Sequence, residues 1–295
     1  MKDSFSGMHP ITNLVFFAAA LGFSMFVMQP VCAALSLTCA LANALYLGGK
    51  KTALFSLRFL LPAVILITII NPLINHRGAT IIEYLPWGNP LTLESVVFGI
   101  ISAVVLCSAA LWFSCVNRVM TSDKLVYLFG KTAPSLGLLL SVSLRFVPHF
   151  AAELKQTAKA QKQLYNTDGA SFVKRLKFSL RVLSVMITKS LEEAVDTSDS
   201  MKSRGYGLKG RTAYSIYSFT TSDKALTAVM IAEILILLTI IIFGGLGFRY
   251  FPSIKGNPAS AGSIAFYTVY TAFLLTPLII NVGEGFRWKR SRSKI

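Results

Sequence analysis

Charge is scarce in this sequence. Of 295 residues only 14% are Asp, Glu, Lys or Arg, against roughly 25% in soluble domains. A water-exposed globular surface is hard to build from so little. Histidine is scarcer still. His9 and His149 stand beside prolines at expected element ends, and His76 falls in an expected loop. None has a neighbour along the chain that would make it a metal ligand or a general base. The four cysteines, Cys32, Cys39, Cys107 and Cys115, lie inside apolar runs without CxxC spacing. They read as small buried hydrophobes, which excludes a disulfide framework and a zinc site. There is no phosphate-binding glycine loop and no nucleophile with a matching base. The expectation is a non-catalytic chain with no cofactor and no metal.

What is present is apolar residues, 54% of the chain, gathered into long runs. Six of these approach the roughly 20 residues that a helix needs to cross hydrocarbon. They cover about 13–29, 31–48, 53–72, 95–117, 225–246 and 264–282. Met28-Gln29-Pro30 alone separates the first two, and Pro30 suits a tight turn between helices. The first run ends without a small-residue cleavage site, so it reads as a retained span.

The net charge of +16 could suggest nucleic acid, but its distribution points to membrane topology. With the N-terminus inside, the outer loops 73–94 and 247–263 hold only Arg77, Arg249 and Lys255. The segment 118–224 holds 17 of the 29 basic residues, and the tail after residue 282 holds five. Basic residues collect on the cytoplasmic side of membrane proteins. Both termini are therefore expected in the cytoplasm, and nucleic acid is not an expected partner. Trp87 and Trp288 are expected near the outer and inner interfaces.

The fold class read from this pattern is an all-α polytopic membrane protein. About six transmembrane helices flank a cytoplasmic block of amphipathic helices between spans four and five. The divisions are 1–117, a membrane block of about four spans; 118–224, the cytoplasmic or interfacial block; and 225–295, two spans with a basic tail. In the middle block, Thr121-Ser122-Asp123 looks like a helix start. Residues 133–147 form an apolar run short for a span, read as a helix on the membrane surface or under a partner, with a true span as the alternative. A helix from about Val147 to Tyr165 follows. Its stripe is Val147, Phe150, Ala151, Leu154, Ala158, Gln161 and Tyr165, and Lys155, Lys159 and Lys162 form a basic row. A second helix runs from 171–180 to Arg204. Its stripe is Leu183, Ile187, Leu191, Ala194, Ser198 and Met201, and Glu192, Glu193, Asp196 and Asp199 make it acidic. One basic and one acidic helix could cross and pair.

The second helix runs into Ser203-Arg204-Gly205-Tyr206-Gly207. Gly205 can take the left-handed conformation that stops a helix, and Arg204 suits its last turn. Two roles fit Arg204: a helix cap, or a planar fork presented to an acidic pocket on another protein.

This corner, with three other stretches, resembles the transmembrane coupling (T) component of energy-coupling factor (ECF) transporters. The others are His9-Pro10-Ile11-Thr12-Asn13-Leu14, Leu144-Arg145-Phe146-Val147-Pro148 and Ser190-Leu191-Glu192-Glu193-Ala194. The resemblance implies two crossed cytoplasmic helices, each ending in an Ala-Arg-Gly-like motif that docks on an ATP-hydrolysing subunit. Ser203, Arg204 and Gly205 would be the second docking motif, with Ser203 in place of alanine. The first motif departs from the pattern. Ala160 and Gln161 match it, but after Lys162 and Gln163 come Leu164 and Tyr165 where the family has arginine and glycine.

The function so implied is a coupling subunit of an ATP-driven importer of vitamins or transition-metal ions, in a prokaryotic cell membrane. Its partners would be two ATP-binding cassette subunits, a substrate-binding membrane subunit and the lipid bilayer. The alternative is a self-sufficient permease or channel. That alternative needs polar groups at mid-span, and Glu233 is the candidate.

Overall fold

The computed structural model describes residues 3–84, 89–164, 171–208, 217–244 and 246–292, with no side-chain description for 50–57, 59, 131, 132, 134, 288, 289, 291 and 292. Eight helices and one hairpin follow in order: α1 (Pro10–Phe26), α2 (Pro30–Ile74), β1 (Ile81–Tyr84), β2 (Pro90–Thr92), α3 (Leu93–Val119), α4 (Ser122–Thr132), α5 (Pro134–Leu164), α6 (Phe172–Ser203), α7 (Thr221–Ile242) and α8 (Ala261–Arg292). The chain divides into two compact units. One is Met1–Thr121 with Tyr217–Ile295, and the other is Ser122–Ile216.

In the first unit proline and glycine set the helix limits. Pro10 and Pro30 each open a helix at a first-turn position, where the missing N–H is not needed. α2 is interrupted once, at Gly49, whose φ of +66° and ψ of 173° break the helical repeat. A side chain rarely adopts that φ, so glycine suits the break. It falls between the second and third predicted spans. β1 and β2 pair antiparallel, with Ile81 opposite Thr92 and Tyr84 opposite Pro90. The loop after β1 includes Trp87, which lies outside the described residues, as does the Trp288 side chain. α8 continues well past residue 282 to Arg292, so the basic tail prolongs a helix.

The packed centre of this unit is aromatic. Trp112 of α3 is fully buried, and its indole N–H donates to Ser36 Oγ of α2 at 3.2 Å. Phe16 of α1 meets Trp112 edge-on at 5.8 Å between centroids, and lies 5.2 Å from Phe273 of α8. The indole thus ties α1 and α2 to α3, and Phe16 extends the cluster to α8.

A polar knot joins the start of α1 to the start of α7. The His9 N–H donates to Asp223 Oδ1 at 3.3 Å, and Thr12 Oγ1 lies 2.8 Å from Thr227 Oγ1. Asp223 also completes a capping box with Thr220, which satisfies donors left open at a helix start. His9 therefore has a structural use: its ring caps Ile11 N–H of α1 at 3.3 Å.

Among the described residues five helices are long and apolar enough to cross a membrane: Pro30–Gly49, Leu93–Val119, Ser135–Leu164, Thr221–Ile242 and Ala261–Arg287. Pro10–Phe26 and Leu60–Ile74 are apolar but shorter. The all-helical, multi-span class expected from the sequence is what the structure has.

The second unit differs from the sequence reading at Pro148. The apolar run 133–147 and the helix expected from Val147 are one continuous helix, α5, with Pro148 inside it. Its 31 residues span about 46 Å at 1.5 Å per residue. Proline removes one backbone bond and crowds the preceding turn, and here the helix absorbs both.

Candidate functional site

The end of α6 is closed by its backbone. Arg204 is the C-terminal cap, with φ −83° and ψ 8°, and Gly205 follows at φ +78°. The Gly205 N–H donates to Lys202 O at 2.9 Å, and the Tyr206 N–H to Met201 O at 3.0 Å. That bond pair is the Schellman motif, which satisfies two of the carbonyls left open at a helix end. Ser203 Oγ turns back to Ser200 O at 2.9 Å. With its hydroxyl and backbone bonded within the helix, the tip is firm. Arg204 is exposed and, among the described residues, makes no side-chain hydrogen bond or ion pair. Lys209, Gly210 and Arg211 lie outside the described residues.

Gly205 is required here. A Cβ would lie 3.1 Å from Leu208 Cδ1, at a positive φ, and that conformation costs a side-chain-bearing residue roughly 1–2 kcal/mol. Gly205→Ala is expected to speed amide exchange at Tyr206 about 5- to 30-fold, the factor that 1–2 kcal/mol represents. Wild-type protection at Tyr206 would mean that the positive φ does not hold this cap.

The first motif lies at the end of α5. Ala160, Lys162, Gln163 and Leu164 are exposed, Leu164 by 73%, and Gln161 is half-buried. The helix ends at Leu164; Tyr165 lies outside the described residues. This tip presents a leucine where the other presents an arginine.

Between these helices the burial differs from the predicted stripes. On α6 the least exposed positions are Phe178, Val182, Met186, Ser190, Glu193, Thr197 and Met201. Most of the predicted row is exposed, Leu183 and Ile187 by 52% each and Leu191 by 65%, whereas its last member, Met201, is partly covered. On α5 the predicted stripe divides: Phe150, Ala158 and Gln161 are partly covered, Val147, Ala151 and Leu154 are exposed, and Glu153, outside the stripe, is buried. Periodicity finds the most apolar face of a helix. On α6 most of that face is open among the described residues, and an adjacent, more polar row is covered or partly covered.

The polar contact between the helices also runs opposite to the expected charge pairing. Glu153, from the lysine-rich helix, is bound by Lys189, from the acid-rich helix. His149 Nδ1 lies 3.9 Å from Glu153 Oε2 and 3.9 Å from Glu193 Oε2. Chain spacing hides this group, because Glu193 is forty residues from Glu153 in sequence; only the packing of α5 on α6 joins them. Phe146, in the Leu144–Pro148 stretch, stacks on Phe150 with centroids 5.5 Å apart, one turn further along α5. Glu233 stands alone in the middle of α7, half-buried, with Oε2 unpaired among the described residues.

The geometry thus defines a polytopic helical membrane protein with a pair of long amphipathic helices, one ending in an exposed arginine. The sequence matches the model of CbiQ, described as cobalt transport protein, over residues 1–214, and the chain belongs to that family. It is similar to the "Energy-coupling factor transporter transmembrane protein EcfT 1" of Listeria monocytogenes, 27% identical over 184 residues, covering 57% of this chain and 67% of that one. It is also similar to the protein named EcfT of Lactobacillus helveticus, 33% identical over 117 residues, and to that of Lactococcus lactis, 34% over 106. Those matches cover 38% and 35% of this chain and 41% and 40% of the relatives. The match therefore spans less than half the length of these two relatives. The resemblance read from the Arg204 corner and its companion stretches is borne out.

Proposed function

We propose that this chain is the transmembrane coupling subunit of an ECF-type ATP-driven importer. The observation that carries the reading is the tip of α6, where a backbone-closed helix end leaves Arg204 exposed and unpaired among the described residues. A guanidinium on a rigid stem suits a fixed acidic groove, because its donors approach carboxylates as a planar fork. Two ATP-binding cassette subunits would receive the α5 and α6 tips on the cytoplasmic side. The α6 tip contributes a charged contact through Ser203, Arg204 and Gly205. The α5 tip contributes Ala160 to Leu164, with Leu164 making an apolar contact.

The exposed leucine and isoleucine row of α6 then has a use. It would lie against lipid or against a substrate-binding membrane subunit, which selects the vitamin or transition-metal ion. ATP hydrolysis belongs to the partners. Their closure would move the α5 and α6 tips, and the helices would carry the motion to the substrate-binding subunit. Both termini face the cytoplasm in this reading, with the β1–β2 hairpin outside.

Extraction in mild detergent tests it. The chain is expected to bring down ATP-binding cassette subunits, and the chain alone in liposomes is expected to transport nothing. Robust uptake by the purified chain alone would favour a self-sufficient permease and direct attention to Glu233.

A further inference from the structure

Glu153 is a buried carboxylate with an unfinished environment. Its side chain is 10% exposed, and Lys189 engages only Oε1. Oε2 has no hydrogen-bond partner among the described residues, and neither has the buried Oε2 of Glu193. Desolvated carboxylate oxygens are costly unless paired or bound to a metal. Both point toward His149 Nδ1, and the three ligand atoms lie within 4.8 Å of one another.

We propose that His149, Glu153 and Glu193 form a site for a divalent first-row transition cation that clips α5 to α6. One imidazole nitrogen and two carboxylate oxygens are a donor set for such ions. Zn–N and Zn–O bonds of about 2.0–2.2 Å place neighbouring ligand atoms roughly 3–3.5 Å apart. The observed 3.9 Å separations need only a small closure. His149 is 56% exposed, so the ion can enter from its side. Lys189 holds Glu153 by its other oxygen and so fixes the direction of Oε2. Two carboxylates against one lysine leave the site negative, which favours a cation. The remaining coordination positions would be filled by water.

Binding here does not depend on the proposed coupling function, and failure of either leaves the other standing. The test is Co²⁺ titration of the full-length chain in detergent, without a histidine tag and after chelator treatment, followed by visible absorption. Wild type and the exposed control Glu192→Gln are expected to bind one Co²⁺ per chain, displaceable by Zn²⁺. Glu193→Gln and His149→Ala are expected to bind at least about tenfold more weakly, as even outer-shell changes do at metal sites. Unchanged melting temperatures without metal would show that both variants are folded; His149, being exposed, is the variant least able to disturb packing. Absence of saturable Co²⁺ binding to wild type, or wild-type affinity in His149→Ala, overturns the proposal.

Discussion

Arg204→Ala is expected to lose about 30-fold or more in affinity for the ATP-binding cassette subunits and to abolish most substrate uptake, at unchanged membrane expression. Truncating one partner of a desolvated charged contact costs roughly 2–5 kcal/mol, which is that fold-change and above. Expression is expected to be unaffected because Arg204 is exposed and unpaired among the described residues. The α6 cap is made by the backbone of Gly205 and Tyr206, not by the guanidinium. Arg204→Lys separates the two roles of this residue. If the side chain serves only the helix dipole, lysine supplies the same charge and little changes. If it docks as a planar fork, lysine restores only part of the binding. Leu164→Ala, at the other tip, is expected to lose less than Arg204→Ala. Equal losses at the two tips would mean that docking is symmetric despite the missing arginine.

Trp112→Ala is expected to give the largest loss of stability in the molecule, about 3 kcal/mol. Large-to-alanine changes of buried aromatics cost roughly 3–5 kcal/mol. In a membrane the transfer part shrinks, since lipid is as apolar as the core, and packing contacts dominate; the lower end of the range therefore applies. The indole touches α1 through Phe16 and bonds to Ser36 of α2, so the cavity would open where several helices meet. Trp112→Phe keeps most of the volume but leaves Ser36 Oγ without its donor. It is expected to cost less, near the 1–3 kcal/mol of an unsatisfied buried group. Thermal unfolding in detergent, followed by tryptophan-independent light scattering, measures both. A wild-type transition for Trp112→Ala would place the centre of the membrane unit elsewhere.

Much of this fold is legible along the sequence because the determinants are local. Pro30 marks the start of α2 by its missing N–H, and Gly205 the stop of α6. The apolar runs needed only length and composition. What depends on which helix meets which was not legible. Pro148 signals a boundary by local rule, yet α5 continues through it. The leucine row of α6 signals a buried face, yet among the described residues it is Val182, Met186 and Glu193 that are covered or partly covered. Trp112 gives no signal at all inside a run of apolar residues. For the candidate site, Arg204 and Gly205 stand out because a helix end leaves a local chemical signature. His149, Glu153 and Glu193 do not, since they come from two helices whose meeting no spacing encodes.

The central claim is that the α6 tip contacts an ATP-binding cassette subunit. A photo-reactive residue in place of Ser203 tests it most directly, because Ser203 is exposed and, among the described residues, its hydroxyl bonds only to Ser200 of its own helix. Irradiation in native membranes is expected to give a cross-link to the ATP-binding cassette subunit whose yield changes with ATP. The same probe at Ile81, in the β1–β2 hairpin, is expected to give none. Cross-linking to that subunit from Ile81 and not from Ser203 would contradict the account.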